Sequence, residues 1–376
     1  MENWRQEFPV TDACVYFDHA GVGPVSRRVA EAVTAFAVEA RDFGRLHYRT
    51  WEERTEVVRA TAASLIGAAT DEIAFVGSTS DGLSTIAAGL DWHAGDSVVV
   101  PAEEFPANVY PWWDLARLGV ETRTVPLEQG RLTIEAVAGA VDDTTRVVSV
   151  SAVDFAYGQR RPLAEIGALC RKRGILFCVD GIQALGAVTI DVEEAGIDCL
   201  AADGHKWMCA PEGCGVLYVS RRWCARLAPR RIGWKNIVNA GQYLPYHFEL
   251  KADAGKFECG SLNFLAIHAL GAALDLIVAV GPAAVEAAVL GVTDVLRDAL
   301  RGRGYQLISP DAQAERAGIT TVRTARDPVE VVAALREARV LASPRGGGVR
   351  FSPHFYCNAD DVQRCVETLA RLDVPT

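Results

Sequence analysis

From Ile73 onward the chain alternates between short apolar runs and longer segments with helical spacing. The runs are IAFVG (73–77), SVVVPA (97–102), ETRTVPL (121–127), RVVSVSAV (146–153), ILFCVD (175–180), CLAADG (199–204) and GVLYVS (215–220). Helical segments separate most of them, as at Pro162–Arg173, where a proline opens the helix. Such alternation predicts an α/β fold: a mostly parallel seven-stranded sheet with helices on both faces. In sheets of that kind ligands bind outside the carboxyl ends of the strands. The residues just after each run are therefore where chemistry is expected.

Two of those ends carry reactive groups. ILFCVD ends on Asp180, and CLAAD runs into Gly204-His205-Lys206-Trp207-Met208. A lysine beside apolar and aromatic neighbours has its pKa lowered by desolvation, which makes it competent to form a Schiff base. A pyridoxal phosphate (PLP) enzyme needs such a lysine, together with an acid that keeps the pyridine nitrogen protonated. FVGSTSDGLSTIAAGL (75–90) reads as strand, Gly/Ser/Thr turn and helix. Backbone N–H groups at that helix start, with the hydroxyls of Thr79 and Ser80, suit a phosphate. By itself the segment is more simply an ordinary capped helix; the company of Asp180 and Lys206 reverses that balance. EEFPANVYPWWDL (103–115) brings Phe105 to the same edge. Its ring is expected to stack on the pyridine, while Trp112 and Trp113 pack the loop.

Around this unit the sequence is less regular. VYFDHAGVGPVS (15–26) reads as extended chain, and Ser26–Phe43 and Thr50–Ile66 as helices. Residues 221–262 are rich in Arg, Trp, Tyr and Pro and look like a long irregular excursion of the functional or interfacial kind. A helix from about Asn263 leads into a smaller α+β unit with strands near YQLIS, GITTVRT and GVRFSPHF and helices at 328–338 and 359–372. The expected organisation is an N-terminal segment (1–25) at the active site, a large domain (26–262) and a small C-terminal domain (263–376), against which helix 26–43 can pack. The most apolar stretch, 266–292, contains His268, Asp275, Pro282 and Glu286, which favours a buried helix pair over a membrane span. A net charge of −10 without a basic block gives no sign of nucleic-acid or membrane binding. Ten cysteines and a start, MENWRQEF, without an apolar leader point to a reducing cytoplasm, with buried thiols rather than a metal site.

DGIQALG, ADGHKW, FECGSLN and VRFSPHFYC together resemble the class V aminotransferase family of fold-type I PLP enzymes. Cysteine desulfurases, kynureninases and isopenicillin N epimerase-like proteins belong to it. The resemblance runs from YFDHAGVGP to VRFSPHFY. It implies PLP held covalently by Lys206, Asp180 on the pyridinium nitrogen and Gln183 near the ring hydroxyl. It further implies phosphate ligation by Thr79, Ser80 and His205, with Asp203 standing where many relatives have serine, and ring stacking by Phe105. Ser261 matches a residue that reaches the phosphate of a neighbouring subunit, which implies a homodimer with shared sites. Arg350 matches the arginine that clamps the substrate α-carboxylate, a task its bidentate geometry suits.

With PLP as electron sink, the outcome at Cα depends on the side-chain pockets: elimination of a β-substituent, epimerisation or transamination. Desulfurases of the family carry a nucleophilic cysteine ahead of the carboxylate arginine, whereas here VLASPRGGGVR (340–350) has none. Cys357 and Cys259 are the remaining thiols nearby, and burial is expected for both. The expectation is thus a PLP-dependent lyase acting on a C–S or other β-bond of an amino-acid substrate, with an epimerase or aminotransferase as the alternative. A non-catalytic protein of this fold would need none of Lys206, Asp180, His205 and Arg350. A nicotinamide enzyme would want a G-x-G-x-x-G turn after an early strand, which is not found there.

Overall fold

The computed structural model describes residues 2–374. Twelve strands occur among them: β1 Val15–Tyr16, β2 Ile73–Val76, β3 Ser97–Pro101, β4 Glu121–Val125, β5 Thr145–Ser151, β6 Leu176–Asp180, β7 Cys199–Asp203, β8 Gly215–Val219, β9 Thr320–Val322, β10 Val340–Leu341, β11 Ser343–Arg345 and β12 Gly348–Phe351. The seven apolar runs become β2 to β8. They form one sheet in the order β2-β8-β7-β6-β5-β3-β4, in which β8 alone runs against its neighbours.

Strand periodicity sends alternate side chains to opposite faces. Leu176 and Cys178 of β6 join an apolar cluster with Leu83 and Ile86 of the helix Thr79–Gly89. Phe177 and Val179 join the larger cluster on the other face, with Leu270 and Leu274 of the helix Phe264–Val280. Burial on both faces explains why these strands read as continuous apolar runs. The winding reverses between β3 and β5, which pair directly although β4 lies between them in sequence. That switch point opens a crevice at the carboxyl edge.

The helix Arg27–Phe43 is capped by Ser26, whose Oγ accepts the Val29 N–H at 3.3 Å. With the helix Tyr48–Leu65 it packs on Phe264–Val280. The approach to Tyr48–Leu65 is so close that a Cβ on Gly271 would lie 2.4 Å from Val58 Cγ2. Phe264–Val280 and Pro282–Gly302 meet at a bend of 81°, and among the described residues no single helix is long and apolar enough to cross a membrane. Down the second of these helices the packing changes partners: Val289 belongs to the large cluster, while Leu296 and Leu300 pack with Val349, Phe351 and Leu369.

Several local expectations change. YQLIS forms only an isolated bridge, Leu307 to Val322, at the outer edge of β9 in the three-stranded sheet β11-β12-β9. The N-terminal extended segment is itself a strand: β1 pairs in parallel with β10, and Asp18 bridges to Ser352. Two residues of pairing are too short to be read from periodicity. Trp112 is buried and donates to Asn108 Oδ1 at 3.2 Å, whereas Trp113 remains 53% exposed and does not pack the loop as expected. Cys357 lies in a turn beyond β12 rather than at a strand end, and both it and Cys259 are only partly buried. The 221–262 excursion is largely irregular as expected, with one short helix and one 3-10 turn.

Candidate active site

The carboxyl ends of β6 and β7 and the start of the helix Thr79–Gly89 meet at a cavity of about 300 Å³. Thr79, Ser80, Phe105, Asp180, Gln183, Asp203, His205, Lys206 and Arg350 all line it. Ser261 does not; it is exposed and outside the cavity within one chain.

Asp180 is the last residue of β6 and 1% exposed. Burial raises its carboxyl to about 6, against the Ile182 N–H that donates to Oδ1 at 3.0 Å; the Glu104 charge adds to the rise, and Lys206 and Arg161 oppose it. Lys206 follows the β7 turn and is 8% exposed. Burial lowers its ammonium to about 8, Asp180 works in the other direction, and Arg350 and Arg345 push it further down. Its Nζ stands 5.3 Å from the centre of the Phe105 ring, which is braced edge-on by Phe155.

The side at the start of the helix Thr79–Gly89 is built from backbone. The first N–H groups of a helix have no intrahelical acceptor, and Thr79 and Ser80 open the helix after the Ser78 cap, which accepts the Asp81 N–H. Thr79 Oγ1 accepts the Asp203 N–H at 2.9 Å and so ties the helix to β7. Asp81, an acid in the first turn, is paired with Arg231 at 2.5 Å. The Asp203 carboxylate accepts the Gly204 N–H at 2.7 Å and lies 2.9 Å from His205 Nδ1. That second approach is not aligned as a hydrogen bond, so the buried Nδ1 has no bonded partner. Gln183 is engaged both ways: Nε2 donates to Ala20 O at 3.0 Å and Oε1 accepts from Trp207 Nε1 at 2.9 Å.

The opposite wall is assembled from distant segments. Arg350 is 1% exposed; Nη1 donates to Phe155 O at 2.7 Å and Nη2 pairs with Asp18 Oδ1 at 3.2 Å. Burial lowers its pKa while Asp18 supports the charge. Asp18, Phe155 and Arg345 were not singled out by sequence reasoning. Asp18 did carry a signal, an acid closing the apolar run VYFD, the same pattern that marked Asp180. Beneath Phe105, Arg161 bridges Glu104 and Asp154 in a buried network, and Ser151 Oγ donates to Glu104 Oε2 at 2.5 Å. Glu104 is adjacent to Phe105, so this network fixes the loop that carries the ring.

PLP fits these residues: a desolvated lysine, a buried acid, an exposed ring face and the free N–H groups of a helix start line one cavity. The sheet topology and this edge define a fold-type I PLP enzyme. The family model "Aminotransferase class-V" matches residues 15–364, and the chain belongs to that family. A probable cysteine desulfurase of Methanothermobacter thermautotrophicus is 29% identical over 393 residues, covering 99% of this chain and 98% of that protein. Among solved structures, an apo cysteine desulfurase from Thermococcus onnurineus superposes with a TM-score of 0.91 at 24% identity, covering 99% of this chain and 98% of that one. A complex of a cystine C–S lyase with its product cysteine persulfide gives 0.90 at 24% identity, covering 96% and 99%.

Proposed function

We propose that this enzyme cleaves a C–S or related β-bond of an amino-acid substrate by elimination. The observation that carries the reading is the convergence of Lys206, Asp180 and Arg350 on one cavity. Bound PLP supplies the electron sink for negative charge developed at Cα. Lys206 would hold the cofactor and would serve as the base toward the Cα proton; an amine depressed to about 8 suits a base working near neutral pH. Asp180 holds a charge against the pyridine nitrogen. Thr79, Ser80 and His205 would bind the phosphate, the Asp203 carboxylate lies 2.9 Å from His205 Nδ1, Gln183 ties Ala20 to Trp207, and Phe105 would cover the ring face. Arg350 fixes the α-carboxylate and so orients the Cα–H bond. The Cβ–S electron pair leaves with the sulfur group.

Two observations favour elimination over sulfur transfer to the protein. The β11–β12 hairpin contains no cysteine. Cys357 sits in a turn beyond β12 and is not among the residues that line the cavity. A sulfur amino acid as substrate is supported by the name of one relative, a probable cysteine desulfurase. We read the enzyme as a cytoplasmic homodimer in which Ser261 completes the partner's site; the exposed Tyr243, Leu244, Tyr246 and Phe248 of the excursion support such pairing. Purified holoenzyme should release pyruvate, ammonia and a sulfur product from cystine or a cysteine S-conjugate. Turnover only in the presence of a keto-acid acceptor, or racemisation without product release, would replace elimination with the corresponding reaction.

A further inference from the structure

Lys206 stands in a turn whose backbone is gripped by two other parts of the chain. On its N-terminal side, the Gly23 N–H donates to His205 O at 2.7 Å, and a Cβ on Gly23 would lie 2.0 Å from Lys206 O. On its C-terminal side, His354 Nε2 bonds Trp207 O at 2.8 Å. His354 follows β12, the strand that carries Arg350, so the imidazole joins the lysine turn to that segment. Trp207 is held by its ring as well: Nε1 donates to Gln183 Oε1 at 2.9 Å, and a Cβ on Gly318 would lie 2.4 Å from Cη2.

The imidazole is committed to this one task. The Phe355 N–H donates to His354 Nδ1 at 2.8 Å, so that nitrogen accepts, and the single proton of the ring sits on Nε2 and is donated to Trp207 O. His354 is 1% exposed, and burial lowers its pKa to about 4, which keeps the ring neutral. It is not among the residues that line the cavity. The rings of His19 and Tyr356 pack beside it with bonds of their own: His19 Nδ1 donates to Ser352 O at 2.8 Å, and the Tyr356 hydroxyl donates to His19 Nε2 at 2.7 Å. An apolar side chain could fill the space of His354. Among the described residues it would leave the buried Trp207 carbonyl only the Cys209 thiol at 3.8 Å.

We propose that His354 is a positioning residue for Lys206: by holding Trp207 O it fixes the turn from which the amine reaches the cofactor, and it sets that amine in one frame with Arg350. The inference rests on the reading of Lys206 as the cofactor's anchor. A lysine stem is flexible, so the direction in which its backbone launches it decides where Nζ can go. A reacting group misplaced by about 1 Å loses on the order of a hundredfold in rate.

Cofactor uptake tests this before any substrate is present. Apoprotein mixed with PLP and quenched with borohydride at intervals should gather pyridoxyl label on the order of tenfold more slowly in His354→Leu than in the unaltered protein. Pyridoxine phosphate, which has no aldehyde to react with the amine, should bind both equally. In the holoenzyme His354→Leu should lower kcat and leave KM within about twofold. His354→Gln, whose amide donates from nearly the place of Nε2, should recover most of the labelling rate, and His354→Asn, one carbon shorter, should not; that pair carries the comparison if His354→Leu does not fold. Equal labelling rates in the unaltered protein and His354→Leu would overturn the proposal. So would pyridoxine phosphate binding that falls in step with labelling and is not restored in His354→Gln, the pattern of a generally loosened fold. Lys206→Ala should gather no such label; label collected at one other lysine would bring down the anchor reading itself, separately from His354.

Discussion

The two walls of the cavity are made differently. One wall, where we propose that the cofactor sits, comes from strand ends and the turns just after them: Asp180 ends β6, Asp203 ends β7, and His205 and Lys206 follow it. Strands buried on both faces hold these residues. The carboxylate wall joins Asp18, Phe155 and the β11–β12 hairpin, segments far apart in sequence, through the side chain of Arg350. The first wall is fixed by local chain geometry, the second by tertiary pairing. Damage to the first should therefore abolish chemistry, and damage to the second should weaken substrate binding while the cofactor stays in place.

The largest effect belongs to the first wall. In the proposed mechanism Lys206→Ala removes the covalent anchor and the proton carrier together, and turnover should fall by at least roughly 10²–10⁴-fold, the usual contribution of a positioned acid–base group. Assay of the reconstituted variant checks it, and near-normal turnover would break the division between the walls. Arg350→Ala should cost about 2–5 kcal/mol in substrate binding, as expected for truncating a buried charge partner, with the visible spectrum of the bound cofactor unchanged. A shifted spectrum would show that the two walls are coupled.

A titration sharpens the contrast. The Lys206 ammonium is lowered from 10.5 to about 8. Between those values the folded apoprotein binds fewer protons than the unfolded chain, so its stability rises with pH across that window. Relative to Lys206→Met, wild-type apoprotein should carry a deficit on the order of a few kcal/mol below about pH 8 that shrinks toward pH 10.5. Denaturant midpoints at a series of pH values measure it; a constant difference would mean the amine is not desolvated. Smallest is Asp18→Asn, which removes the resident counter-ion of Arg350. The substrate KM should drop a few-fold, on the order of 1 kcal/mol or less for a part-exposed charge. A raised KM would show that Asp18 aims the guanidinium rather than competing for it.

The same division explains what the sequence disclosed. Asp180 and Lys206 were legible because a continuous apolar run followed by a polar turn marks the carboxyl end of a buried parallel strand, and the seven-stranded sheet was legible for the same reason. Ser261 was named from resemblance, and within one chain it is exposed and does not line the cavity. Asp18 and Arg345 were not legible as site residues. Their position depends on the parallel pairing of Val15–Tyr16 with Val340–Leu341 and on the register of a two-residue turn, contacts that leave no periodic trace. YQLIS had the composition of a strand but makes only one bridge to the outer edge of β9.

The central claim, that Lys206 anchors the cofactor, has a direct measurement. Borohydride reduction of the holoenzyme followed by peptide mapping should place the pyridoxyl group on Lys206. Recovery of the label on Lys172, Lys235, Lys251 or Lys256 would contradict the account.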